Sequence, residues 1–308
     1  MKADELEGRL KTALDESRML ILGTQVLYGF QFQGVFQESF ASLPAMSQYV
    51  QCLGAAAITL TICLLVAPSL HHQLRYRGET RIGVLSAATV FASAGLFPLT
   101  LGVGAAAYVV FEHLFGTRAG IEFAATFISV SLLVLYGIGF ALKRPRSSDM
   151  LSEPRTTLLK TKIDQLLTEA RVIIPGGQAL LGFQFIATLT KPFEELPSTF
   201  KAIHAVGLCA VALAVVLLMA PAAIHRIAFE GENVERFFNI GSQLVLAGTV
   251  PLAIGIAADM LVVFYRVSGS AAISSTVGLV TLALLFGVWF GYPILLRTFF
   301  DGPGTNHG

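Results

Sequence analysis

Charged residues are scarce in this 308-residue chain: they make up 13% of it, whereas hydrophobic residues make up 54%. A soluble domain uses about a quarter charged residues, so the composition excludes an ordinary soluble protein. The mean hydropathy is +0.70, and the apolar runs reach the roughly 20 residues that a helix needs to cross a bilayer. The runs lack the alternation of a membrane barrel. We therefore predict an all-α polytopic membrane protein whose immediate partner is the lipid bilayer.

Other features are also missing. The net charge of +1 gives no basis for nucleic-acid binding. The three cysteines, Cys52, Cys63 and Cys209, lie in apolar runs and form no C-x-x-C pair, which favours packing over metal binding or a disulfide. The chain has no Walker loop, no G-x-G-x-x-G after a strand, no H-E-x-x-H and no G-x-S-x-G. We expect no enzyme, no cofactor and no metal site.

An internal repeat is the most informative feature that is present. The pattern E-x-R followed by G-x-Q-x-L-x-G-F-Q-F occupies residues 16–32 and returns at 169–185, so that 153 residues separate the copies. The same spacing relates Pro44 to Pro197 and Pro98 to Pro251. Such a repeat fixes the domain organisation. Residues 1–150 are predicted as a four-helix membrane repeat with an N-terminal amphipathic helix, and residues 151–308 as a second one with an amphipathic lead-in helix and a disordered tail.

Eight transmembrane helices follow from the apolar runs. They fall at roughly 18–37, 47–68, 83–111, 121–142, 172–190, 202–222, 237–265 and 273–296. Of the 21 basic residues, 17 lie on one side of this arrangement, and only Arg118, Lys191, Lys201 and Arg266 lie on the other. Basic loops stay in the cytoplasm, so both termini are expected there. Each half has an even number of spans, which makes the two repeats parallel.

A group of charged residues recurs at the cytoplasmic ends of the helices. We call it the inner-rim cluster; its members are Glu16, Arg18, His72 and Glu79, and their copies Glu169, Arg171, His225 and Glu232. Carboxylate, guanidinium and imidazole groups at one depth fit a vestibule that handles protons or ions, since histidine titrates near neutral pH. The same groups also fit a set of ion pairs and helix caps that fixes the helix ends.

A few polar residues fall inside the predicted spans. Gln25, Gln31 and their copies Gln178 and Gln184 are candidates to line a narrow ion path, or else to join helices by hydrogen bonds. Asp259 is the one acid that looks properly intramembrane, and intramembrane acids are functional candidates by default. Its copy in the first half is Ala106, so any such role is asymmetric.

Two prolines lie in the middle of predicted spans. Pro98 and Pro251 both occur in the pattern G-x-x-P-L-x-x-G. Proline removes a backbone hydrogen bond and kinks a helix, and broken helices often mark transport sites. Helix breaks are therefore expected at both prolines, although membrane bundles without any transport role also contain them.

The repeated motifs E-x-R…G-x-Q-x-L-x-G-F and L-x-A-P-x-x-x-H give each half a family resemblance. Residues 6–144 and 159–297 each resemble a family of small bacterial four-helix membrane proteins known mainly as a domain of unknown function. The resemblance implies the bacterial cytoplasmic membrane and a four-helix unit, but no substrate and no catalytic residue. Family members usually have one unit, so the fused pair suggests that single-unit relatives dimerise.

Two classes of function stay open at this point. One is a small proton- or cation-coupled transporter or channel, with a polar path along the repeat interface and protons or monovalent cations as partners. The other is a non-transporting membrane scaffold or accessory subunit, in which the same residues serve packing and ion pairing. The duplication and the mid-span prolines favour the first class, and the scarcity of intramembrane charge favours the second. The sequence identifies no protein partner.

Overall fold

The computed structural model describes residues 20–77, 79, 82–137, 158–229 and 232–300. These residues form helices joined by short turns, and no strand occurs among them. Helices are expected here because, without water, the backbone groups of an apolar segment have to bond within the segment itself. The all-α class is thus confirmed for the described part of the chain. The predicted N-terminal amphipathic helix and the disordered tail lie outside it.

The first half contains four helices. They are α1 (residues 20–34), α2 (Ala45–Tyr76), α3 (Ile82–Phe115) and α4 (Thr117–Leu132). A short 3₁₀ turn, Glu38–Ser42, precedes α2, and α4 continues into a π-helical turn, Leu133–Gly137.

The second half repeats this order. Its helices are α5 (Leu159–Ala187), α6 (Ser198–Ile227), α7 (Glu235–Ser268) and α8 (Ala271–Phe286). A short helix, Lys191–Glu194, precedes α6, and α8 continues through a π-helical turn, Gly287–Gly291, into Tyr292–Phe300.

The local signals that end these helices also recur 153 residues apart. Pro44 and Pro197 stand immediately before α2 and α6, where the fixed φ of proline suits the entry to a helix. Gly116 and Gly269, which follow α3 and α7, have φ angles of 88° and 63°. Glycine adopts these left-handed angles without the steric cost that a Cβ atom brings. The chain therefore reverses at the same points in both halves.

Six of the described helices are long and apolar enough to cross a membrane. They are α2, α3, α5, α6, α7 and α8 with its continuation. Only 15 residues of α1 are described, and α4 has 16 residues before its π-helical turn. The chain is therefore a multi-pass membrane protein by the length and composition of its described helices.

The helices α2 and α7 form the centre of the bundle. In each, 67% of the most apolar window is buried, compared with 22% to 41% in the other long helices. Sγ of Cys52 on α2 lies 4.0 Å from the backbone oxygen of Val263 on α7. Trp289 is fully buried, and its Nε1 donates to the backbone oxygen of Cys63 at 2.9 Å. The first half thus packs on the second half through α2, which contacts α7 and the π-helical turn after α8.

The prolines do not interrupt their helices. Pro98 lies inside α3 and Pro251 inside α7, and both helices are continuous from end to end. The expected helix breaks are therefore wrong for this structure. An intramembrane helix that unwinds has to find new partners for its freed backbone groups. A continuous helix leaves unpaired only the one carbonyl oxygen that would accept a hydrogen bond from the N–H that proline lacks.

Trp289, the only tryptophan, reports directly on the contact between the halves. Because its ring is buried against α2, we expect little fluorescence quenching by brominated phospholipids in reconstituted vesicles. The matched control exchanges it with its copy in the first half, in the double variant Trp289→Tyr/Tyr136→Trp. Tyr136 is only partly buried, so the control is expected to be quenched clearly more. Equal quenching of the two proteins would contradict the described packing.

Candidate functional site

Asp259 lies on α7 and is completely buried. The side-chain amide of Gln184 on α5 donates to both of its carboxylate oxygens, with Nε2 at 2.9 Å from Oδ1 and 2.8 Å from Oδ2. A buried carboxylate needs such donors, because leaving it unpaired costs several kcal/mol. The structure thus brings together two of the residues that the sequence singled out separately.

The third member of the site is His204 on α6, which the sequence analysis missed. Its Nδ1 lies 3.8 Å from Oδ1 of Asp259, within ion-pair distance, and its Nε2 lies 3.1 Å from the backbone oxygen of Gln184. We call Gln184, His204 and Asp259 the Asp259 cluster. The repeat contains a signal for His204, since the copies of His204 and Asp259 are the neutral Gln51 and Ala106. Two titratable residues thus replace neutral ones in the same half.

The geometry fixes where a proton can sit. A backbone carbonyl only accepts, so Nε2 of His204 carries a hydrogen and Nδ1 is the ring nitrogen that faces the carboxylate. When both Nδ1 and Asp259 are deprotonated, two lone pairs face each other. One proton resolves this, either as histidinium with carboxylate or as neutral imidazole with carboxylic acid. The arrangement of the Asp259 cluster can therefore hold a single proton on either side chain.

Aromatic side chains close the site. The ring of Phe32 stacks on His204 with centroids 5.7 Å apart and an interplanar angle of 7°. Phe193 meets the same imidazole edge-on at 4.9 Å. Tyr28 donates its hydroxyl to the backbone oxygen of Ile256, one turn before Asp259, at 3.4 Å. Because Tyr28 and Phe32 belong to α1, the first half covers a site built from residues of the second half.

Two glycines set the distance between α6 and α7. A Cβ atom added to Gly207 would lie 2.9 Å from Cβ of Ala258, and one added to Gly255 would lie 2.3 Å from Cγ2 of Val211. Small residues permit this close helix approach in a membrane. Gly207 is about one turn after His204, and Gly255 is about one turn before Asp259. The glycine contact therefore places the imidazole opposite the carboxylate.

The corresponding place in the first half has the same hydrogen bonds but no acid. Gln51 donates to the backbone oxygen of Gln31 at 3.1 Å, as His204 does to that of Gln184. Gln31 donates its amide to the backbone oxygen of Gly102 at 3.0 Å, because Ala106 offers no carboxylate. The proton site is therefore confined to the second half.

The other two glutamine candidates lie apart from the cluster. Gln25 is buried between α1 and α5, where a Cβ atom on Gly176 would overlap its side chain. Gln178 is exposed on α5 and lies 3.8 Å from Sδ of Met219. Each glutamine thus has different surroundings from its copy, and of the four only Gln184 joins Asp259.

A second buried cluster links the halves near the turn that follows α2. Glu169 on α5 accepts from Nδ1 of His72 at 2.9 Å and from Nε2 of Gln73 at 2.8 Å. Ser242 on α7 donates to Oε1 of Gln73 at 2.8 Å. We call these four residues the Glu169 cluster. His72, Gln73 and Glu169 are all buried, so this network ties α2 to α5 and α7.

The other inner-rim residues are more dispersed. Lys162 forms an ion pair with Glu79, again between the halves. The ring of His225 packs on Phe237 with centroids 4.4 Å apart. Arg171 and Glu232 are exposed. Glu16 and Arg18 lie outside the described residues. Among the described members, His72 and Glu169 are in direct contact. Within the described residues, no group of three or more histidines, cysteines or acids could hold a metal ion.

The glycine contact predicts a large difference between two equivalent substitutions. Gly207→Leu places a side chain where Ala258 leaves no room, and we expect it to destabilise the protein by about 1–3 kcal/mol. Gly182→Leu is the control, since a Cβ atom at Gly182 meets nothing within 4 Å. Thermal unfolding in one detergent measures both. If the two variants melt alike, the glycine contact does not set the α6–α7 distance.

The Glu169 cluster predicts a similar contrast. Glu169→Leu leaves the buried donors of His72 and Gln73 without their acceptor, and breaking a buried pair in this way costs about 3–5 kcal/mol. Glu169→Gln keeps one acceptor oxygen and is expected to lose less. Glu232→Leu changes an exposed carboxylate and serves as the control. The free energy of unfolding, measured by titrating mixed micelles with SDS, gives the ranking, and an unaffected Glu169→Leu protein would contradict a stabilising role for the cluster.

Comparison with known proteins gives a family but no function. The sequence model of a family of unknown function, DUF6328, matches residues 2–138 and again residues 152–293. The match covers both halves of the chain, in agreement with the internal repeat. No curated protein matches the chain, and no solved structure matches it. The chain belongs to the DUF6328 family and contains its domain twice.

Proposed function

We propose that this tandem member of the family is a proton- or monovalent-cation-coupled transporter or channel of the bacterial cytoplasmic membrane. The observation that carries the proposal is the pairing of Asp259 with His204, both at most 1% exposed, within apolar helices. Ionisable groups at such depth are costly and mark ion or proton pathways in many membrane proteins. The proposal includes no catalytic step and no cofactor.

The proposed topology has eight spans in two parallel four-helix repeats. The six long apolar helices support it, with α1 and α4 as the remaining spans. Contacts between the halves also support the parallel arrangement. Lys162 reaches Glu79 at one end of the bundle, and Phe36 meets Phe193 at the other, with ring centroids 5.8 Å apart. In the proposed topology both termini lie in the cytoplasm, which the distribution of basic residues supports.

The charge balance of the Asp259 cluster explains how a proton could be coupled to a cation. With one proton, the aspartate and the histidine are neutral overall. Without it, a single negative charge remains among apolar side chains, at a cost of several kcal/mol. A monovalent cation that enters as the proton leaves restores neutrality. Alternate binding of a proton and a cation to one carboxylate is the chemistry of an exchanger.

Asp259→Asn tests the proposal directly. The amide copies the shape of the protonated acid, but it cannot release a proton. We expect the variant to insert and fold normally and its flux to fall to the level of empty vesicles. A pH-sensitive dye inside proteoliposomes measures the flux under imposed gradients of Na⁺ or K⁺. His204→Gln, which restores the residue of the first half, is expected to lower the flux as well.

The matched control is Glu122→Gln. Glu122 is an exposed acid on α4 that pairs with Arg118, and its change is expected to leave the flux intact. A proton flux that survives in Asp259→Asn would show that Asp259 is not on the path.

A scaffold or accessory subunit is the second candidate, and one observation favours it. Gln184, His204, Asp259 and the covering Phe32 are at most 1% exposed, so the cluster is closed on all sides and could serve as a lock between three helices. In that case the folded wild-type protein carries no flux in vesicles. Asp259→Asn then changes stability alone, by an amount that thermal unfolding measures.

A further inference from the structure

The two halves meet through different surfaces. The first half contributes Phe32 and Phe36 with Cys52 and Cys63 of α2. Their partners in the second half are His204, Phe193, and the backbone oxygens of Val263 and Leu284. A two-fold interface would contain each of these contacts twice, with the halves exchanged. The contact between the halves is therefore heterologous, that is, head-to-tail.

A heterologous contact leaves two complementary surfaces unused. The copies of Phe32, Phe36 and Cys63 in the second half are Phe185, Leu189 and Val216. Their side chains are 59%, 72% and 63% exposed, whereas the originals are fully buried. Ala205, the copy of Cys52, is exposed too. We call these four residues the free α5–α6 face.

The receiving surface is unused in the first half. A groove of about 440 Å³ is lined by Gln31, Phe40, Gln51, Ala106 and Val110, among others. These are the copies of Gln184, Phe193, His204, Asp259 and Val263. Of these, Phe193, His204 and Val263 contact α1 or α2 in the second half. We call this cavity the first-half groove. The described part of the chain thus fills one of the two equivalent grooves and leaves the other open.

Exposed apolar residues alone would mean little, because lipid covers them in a membrane. The groove itself is the more specific observation, since the equivalent groove of the second half is filled by the copy of the free α5–α6 face.

We propose that the free α5–α6 face of one molecule docks into the first-half groove of a second copy of this chain. The docked contact repeats the internal one, with Phe185 over Gln51 in place of Phe32 over His204. Repetition of a heterologous contact produces a closed ring when the rotation closes and an open chain when it does not. The protein is therefore a head-to-tail oligomer. Along it, contacts between the two halves of one chain alternate with contacts between separate molecules.

Disulfide trapping in native membranes tests this contact. Cys209 is exposed and is first replaced by serine, whereas Cys52 and Cys63 stay because they are buried. Two differently tagged chains are co-expressed, one carrying Phe185→Cys and the other Gln51→Cys. After mild oxidation, we expect a reductant-sensitive dimer that contains both tags. A disulfide within one chain cannot produce this species.

The matched control pairs Phe185→Cys with Leu53→Cys. Leu53 is two residues from Gln51 on α2, and it is exposed outside the groove. The mixed dimer is expected to be several times less abundant with this pair. Equal trapping of both pairs, or none, would overturn the proposal.

Native mass spectrometry of the wild-type protein provides a second measurement that needs no substitution. A mass of two or more chains supports the docked contact. A single chain that carries a bound phospholipid would show that lipid fills the groove, and it would overturn the proposal. Neither outcome depends on whether the protein transports ions.

Discussion

A carboxylate buried among apolar helices has to be compensated by the protein itself, and this constraint shapes much of the structure. Glu169 takes its donors from His72 and Gln73 on the other half of the chain. Asp259 takes its donors from Gln184, and it faces His204 beneath a cover provided by α1. Neither acid can be satisfied by one helix alone. The Glu169 cluster therefore links the two halves, and the Asp259 cluster links three helices of the second half.

The two buried carboxylates differ in the distance to their imidazole partner. Glu169 has two donors at 2.8–2.9 Å, one of them an imidazole nitrogen, and both lie on the other half of the chain. At Asp259 the imidazole nitrogen lies 3.8 Å away and is not hydrogen-bonded. A proton there has two alternative positions, and its loss leaves an uncompensated charge. This difference is why Glu169 fits a structural tie and Asp259 fits a site that exchanges a proton.

The sequence predicted the helices well, because apolar runs, prolines and glycines act locally and recur in both halves. It also predicted Asp259, whose apolar neighbours are adjacent in the chain. It missed His204, because the contact depends on how α6 crosses α7 at Gly207 and Gly255. It could not separate Gln25 from Gln178, because the heterologous contact buries one and exposes the other. Local sequence is shared by the two halves, but the surface that each half turns to the other is not.

Fusion of the two units explains why the acid occurs in one half. A groove filled by α1 of the same chain is always closed, so a carboxylate such as Asp259 can be kept there out of contact with lipid. Among the described residues, none fills the equivalent first-half groove. An acid at Ala106 would face hydrocarbon whenever that groove was empty, and charged groups are costly there. Neutral Gln31, Gln51 and Ala106 avoid this cost. The asymmetry of the site therefore follows from which groove the chain itself can close.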